Sequence, residues 1–166
     1  MKPLYRFCSD DGRFSLVLPA EALKRMLNEA LTVHERETGG ILVGLYNEAL
    51  DTAIVTQAEP PPSDSVHARS SFQRGVAGIR ERLQRLWKRP VQTYYLGEWH
   101  VHPGFSPEKS AADDATMLQG DLHKAFNCAV PVLTILGGDP GAEWSLRAWA
   151  YPQGRPAIRL WEQGEI

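Results

Sequence analysis

Apolar positions along the chain switch between the two-residue rhythm of strands and the three-to-four-residue rhythm of helices, and the switches mark the elements. Residues 13–18, RFSLVL, predict a short strand that stops at Pro19. Over 19–34, Leu23, Met26, Leu27 and Ala30 recur at helical spacing, with the proline suited to the first turn. GGILVGLY at 39–46 is apolar throughout and flanked by glycine, as a buried strand would be. TAIVTQ at 52–57 is its expected partner across the connection 47–51. Pro60, Pro61 and Pro62 then break regular structure, and a polar loop is expected to about residue 75. Val76, Ile79, Leu83 and Leu86 predict a second helix within 72–90, its basic face (Arg80, Arg82, Arg85, Lys88, Arg89) turned to solvent. A β-branched and aromatic stretch, 91–103, predicts a strand running into a turn at Pro103-Gly104. A third helix is expected over 110–126, a buried strand over 130–138, and two final strands at 142–151 and 156–161. Strands and helices in this order predict an α/β fold: one domain spanning 1–166, with a mixed β-sheet packed against helices.

Composition narrows the class. With 18 Lys and Arg against 20 Asp and Glu, the net charge is −2, which argues against a dedicated nucleic-acid or acidic-membrane binder. No apolar run approaches the length of a membrane span, and the first residues lack the apolar centre of a signal peptide, so a cytoplasmic protein is expected. Cys8 and Cys128 are too few for a disulfide framework or a thiolate zinc site. Neither has an argued histidine partner for thiol chemistry, and Cys128 beside Ala129-Val130-Pro131 reads as a small buried hydrophobe.

The chemistry is concentrated in EWHVHPGFSPEKSAAD, residues 98–113. His100 and His102 are two apart, so on a strand both imidazoles leave the same face, with Trp99 on the other, packing the core. The turn at Pro103-Gly104 allows Asp113 to return as a third, oxygen ligand. Two His, one carboxylate and an open position describe a catalytic zinc site. Each piece has an ordinary alternative: His-x-His is often structural, and Ser110 to Asp113 has the form of a helix capping box. Their joint occurrence favours the metal, and a capping serine can also face it. Hydrolysis further needs a base. Glu37, at the mouth of the glycine-flanked strand, has a suitable position, but Glu35 and Glu98 are close rivals, and position alone separates them.

The pattern His100-x-His102-x7-Ser110-x2-Asp113, with upstream Glu37-Thr38-Gly39-Gly40-Ile41-Leu42-Val43-Gly44, resembles the JAB/MPN (JAMM) metalloprotease family. These are zinc isopeptidases that remove ubiquitin and ubiquitin-like proteins, and the resemblance implies the family's cytidine deaminase-like fold. It implies one Zn2+ per chain on His100, His102 and Asp113, Glu37 as general acid and base, and Ser110 steadying the oxyanion. It thereby selects Glu37 over Glu35 and Glu98. The segment YLGEWHVHP and the helix before it are most similar to stand-alone bacterial members, often encoded beside proteins resembling ubiquitin-activating and ubiquitin-conjugating enzymes in antiphage systems. The implied partners are a ubiquitin-like protein and its conjugates. An extended substrate tail would pair with a strand edge, the proline-bounded loop 60–75 forming one wall. Only His123 and Cys128 follow Asp113 as His or Cys, too few for the second zinc site of members that read lysine-63 chains. Two rival functions share the framework: trimming of a ubiquitin-like or sulfur-carrier precursor, and a non-catalytic MPN scaffold.

Overall fold

The computed structural model describes residues 4–118 and 125–164. Its elements in chain order are β1 (Leu4–Cys8), β2 (Ser15–Pro19), α1 (Ala20–Thr32), β3 (Thr38–Tyr46), β4 (Thr52–Ala58), β5 (Val66–His67) and β6 (Phe72–Gln73). Then come α2 (Ile79–Trp87), β7 (Tyr94–Pro103), α3 (Ala111–Leu118), β8 (Val132–Gly138), β9 (Trp144–Ala150) and β10 (Ile158–Gln163). Eight strands form one mixed sheet that closes on itself in the order β1-β10-β9-β8-β7-β3-β4-β2. β2 with β4 and β7 with β8 are parallel; the other neighbours are antiparallel.

The continuous apolar runs of β3 and β8 are explained by burial on both faces. One face of the sheet, carrying Phe7, Leu16, Leu18, Leu42, Leu96, Trp99, Val101, Leu136 and Leu160, packs with Ala22, Leu23, Met26 and Ala30 of α1. On the opposite face, Ile41, Val43 and Tyr95 meet Ile79 and Leu86 of α2, and Leu133, Ile135, Trp149 and Tyr151 meet Met117 of α3. Each aliphatic side chain so buried contributes on the order of 1.5–3 kcal/mol. α3 is thereby fixed over β8 and β9, beside the end of β7.

No element is expected before residue 13, yet β1 pairs with both β2 and β10 and so closes the sheet. The expected loop 60–75 contains a short hairpin, β5 paired with β6. The second helix begins at Ile79 rather than near residue 72. Here Asp64 accepts the amides of Val76 and Ala77, and Ser65 Oγ accepts that of Gly75. Those bonds hold 75–77 out of a helix, Gly78 enters the left-handed region at φ 75°, and Val76 is left exposed. On the expected basic face, Arg82 is partly buried against Glu59, a bidentate ion pair at 3.0–3.1 Å. Of the third predicted helix, residues 119–124 lie outside the described residues. Among the described residues, no helix is long and apolar enough to cross a membrane.

Candidate metal centre

Strand alternation along β7 places Glu98, His100 and His102 on one face and sends Trp99 and Val101 into the core on the other. Trp99 is almost wholly buried, and its indole N–H donates to the carbonyl of Glu59 at 2.9 Å. Beyond His102 the chain reverses: Gly104 N–H donates to Gly138 O, and Gly138 N–H to Phe105 O. This ties the return loop across the end of β8 and delivers Ser110 to the start of α3. The Ser110 Oγ accepts the Asp113 amide at 3.1 Å while Ser110 N and Oγ donate to Asp113 Oδ2 at 2.7 and 2.8 Å, a capping box in which the carboxylate is aimed as well as capped.

That aim brings the three side chains together. Asp113 Oδ1 is 3.0 Å from His100 Nδ1, and Oδ2 is 3.5 Å from His102 Nε2. One ligand atom from each residue falls within 4.8 Å of the others, and all three residues are buried. Two imidazole nitrogens and a carboxylate oxygen, converging from a strand and a helix, fit a zinc ion that keeps one position open. Burial works to raise the Asp113 carboxyl, but the hydrogen bond and charge of His100 and the bonds from Ser110 outweigh it and bring the pKa to about 2. Burial also lowers the His102 ring below its ordinary value, with Asp113 pulling the other way. An ionised carboxylate and a neutral imidazole are the states a metal requires of its ligands.

The three rival glutamates occupy different surroundings. Glu35 is exposed and pairs with Arg69, also exposed, at 2.7 Å. Glu98 is buried, its Oε2 held by Arg74 Nε at 2.7 Å and its Oε1 by the Tyr95 hydroxyl at 2.9 Å. Glu37 sits immediately before β3, half-buried, in the field of both Asp113 and His100. Burial first and the Asp113 charge second push its carboxyl up to about 7, against the pull of His100. A carboxyl poised near neutrality beside this cluster is suited to accept a proton and return it.

Gly39 makes room for this arrangement. A Cβ there would lie 2.3 Å from the Trp99 carbonyl oxygen, 2.7 Å from the His100 ring and 2.9 Å from Phe72. Gly39→Ala is expected to destabilise the fold by about 1–3 kcal/mol, the usual cost of overpacking, read as a lowered denaturant midpoint. Phe72 itself was not singled out by the sequence, nor were His67 and Arg74. Two-residue strands carry too little periodicity to be read.

A family model described as prokaryotic homologs of the JAB domain matches residues 19–151. The chain belongs to this family. Among its relatives is a protein of Enterobacter hormaechei subsp. hoffmannii named CD-NTase/cGAS isopeptidase, 42% identical over 94% of this chain and 86% of the relative. A protein of Sinorhizobium fredii named as a probable metalloprotease is 28% identical over 89% of this chain and 90% of its own length. A solution structure of a Desulfitobacterium hafniense protein superposes with a TM-score of 0.56 at 18% identity, covering 83% of this chain and 84% of that one, which supports the fold alone. In this JAB-family chain, one group of three side chains able to hold a metal ion converges among the described residues. His123 of the expected His/Cys remainder lies outside them. Cys128 is buried, and burial pushes its thiol up to about 12, consistent with a packing role and not with a nucleophile.

Proposed function

We propose that this JAB-family chain is a zinc-dependent isopeptidase, acting as one domain in the cytoplasm. The observation that carries the reading is the convergence of His100, His102 and Asp113 beside a glutamate whose carboxyl is poised near neutrality. A zinc ion held by those three residues would supply Lewis acidity, lowering the pKa of a water and polarising the scissile carbonyl. Glu37 takes the water's proton and returns it to the departing lysine amine. The Ser110 hydroxyl, which in the structure spans the Asp113 amide and carboxylate, turns to donate to the oxyanion, an interaction worth roughly 2.7–4 kcal/mol when well aimed. β5 and β6 form a separate two-stranded sheet beside the histidines, a short open edge on which an extended substrate tail can pair.

The name of the 42%-identical relative favours a conjugate of a CD-NTase as substrate. The broader form of the proposal is removal of a ubiquitin-like protein or comparable modifier from its targets, alongside activating and conjugating enzymes of the same operon. Trimming of a precursor uses the same residues, and the substrate decides between them. The test compares four substrates under equal conditions: a CD-NTase joined through its terminal carboxyl to a lysine side chain, a ubiquitin-like protein joined in the same way, a linear fusion, and an isolated tail peptide. The expected result is cleavage of the lysine-linked CD-NTase, abolished by a chelator and restored by zinc, with the free peptide at least tenfold slower. Faster cleavage of the linear fusion would favour precursor trimming. Equal rates on the peptide and on unrelated unfolded proteins would show a general peptidase and end the isopeptidase reading.

A further inference from the structure

Glu98 shares the metal-facing side of β7 with His100 and His102, and no step of the proposed chemistry uses it. It is 1% exposed, with both oxygens engaged, Oε2 by Arg74 Nε at 2.7 Å and Oε1 by the Tyr95 hydroxyl at 2.9 Å. Arg74 is itself only 13% exposed and also donates Nη1 to the Gly75 carbonyl at 2.7 Å. It follows directly on the β5–β6 hairpin. That hairpin touches the site twice more. The Phe72 ring stands edge-on to the His100 ring, centroids 5.5 Å apart, and the His67 ring is tilted against Phe72 at 5.1 Å. At the far end, Glu37 N–H donates to the Ala68 carbonyl at 2.7 Å, and His67 Nδ1–H donates to the Glu37 carbonyl at 3.0 Å. Glu98, His100 and Glu37 are therefore all gripped by one short segment.

We infer that Arg74 and Glu98 form a latch that holds the β5–β6 hairpin over the metal centre, and that both are positioning residues for the reaction. The inference rests on the isopeptidase reading above. Stability alone does not call for an ion pair here, because apolar side chains of similar volume usually serve a buried site as well or better. Charge and directed hydrogen bonds instead select one docking of Arg74 on β7. Through the hairpin, that docking fixes the backbone from which Glu37 projects and the ring that backs His100. The proton carrier and a ligand then keep their mutual geometry only while the latch is closed, and misplacement by about 1 Å can cost about 10²-fold in rate.

The test is the double substitution Arg74→Met with Glu98→Gln, which leaves no charge buried alone and keeps an acceptor for Tyr95. The full chain is loaded with zinc alone, and three quantities are read: metal content, trypsin cleavage after the exposed Arg69 in the hairpin loop, and kcat and KM on the lysine-linked CD-NTase. The expected result is unchanged zinc, cleavage after Arg69 at least tenfold faster, and kcat down 10–100-fold with KM moving less than threefold. Tyr95→Phe, which removes the hydroxyl that holds Glu98 Oε1 and leaves the ion pair intact, gives smaller changes in the same direction and serves if the double variant does not fold. Arg74→Lys, which keeps the charge, recovers most of both losses. Wild-type protection of Arg69 in a folded, zinc-loaded double variant overturns the latch, and so does a loosened hairpin with unchanged kcat. Absence of hydrolysis by the wild-type protein overturns the proposed function instead, while trypsin and zinc content still decide whether the hairpin is latched.

Discussion

Glu37→Ala is expected to lower the hydrolysis rate by about 10²–10⁴-fold, the usual share of general acid–base catalysis, while the protein stays folded and keeps its metal. The separation follows from position. Glu37 lies outside the group of ligand atoms that converge within 4.8 Å, yet close enough for Asp113 and His100 to shift its carboxyl. Its structural bonds run through its main chain, to Ala68 and His67, and alanine retains them. Activity and zinc content measured on the same preparation check the expectation. A loss of zinc with the activity would place Glu37 among the ligands. Retained activity in Glu37→Ala, with Glu98→Ala inactive at full zinc and intact fold, would show that the buried carboxylate carries the proton.

His102→Ala is expected to abolish both metal binding and activity. With one of three protein ligands gone, zinc affinity should fall by more than the 10–100-fold typical of losing a mere supporting group. Elemental analysis of the wild-type protein should find about one zinc per chain, and of the variant a small fraction of that. Stability offers a second readout that needs no substrate. Zinc at about 1,000 times its dissociation constant should raise wild-type unfolding free energy by about 4 kcal/mol and leave His102→Ala unmoved. Absence of metal from wild-type protein purified without chelator, together with no zinc-dependent stabilisation, would contradict the hydrolase proposal.

The two histidines and the capping box were legible in the sequence because their geometry is local. A separation of two on a strand puts His100 and His102 on one face, and a separation of three at a helix start turns Asp113 back on Ser110. The same locality made α1, β3, β4, β7 and β8 readable, since each carries enough periodic or continuous apolar positions to declare itself. Val76 fits the apolar spacing and so extends the expected second helix too far; that Asp64, twelve residues upstream, captures its amide has no periodic signature.

Tertiary structure decided the rest. β1 contributes only one wholly buried side chain, Phe7, and exists as a strand because β2 and β10 flank it, the latter from the other end of the chain. Asp113 meets His100 and His102 because Met117 of α3 packs among residues of β8 and β9, a contact no spacing within 98–113 encodes. The three glutamates are alike in sequence and differ only in what folding sets around them: solvent and Arg69 for Glu35, Arg74 and Tyr95 for Glu98, Asp113 and His100 for Glu37. Short-range pattern can specify which way a side chain leaves its own strand or helix. Burial and neighbouring charge, which give a carboxylate its chemistry, come from segments distant in the chain and take effect only when those segments pack.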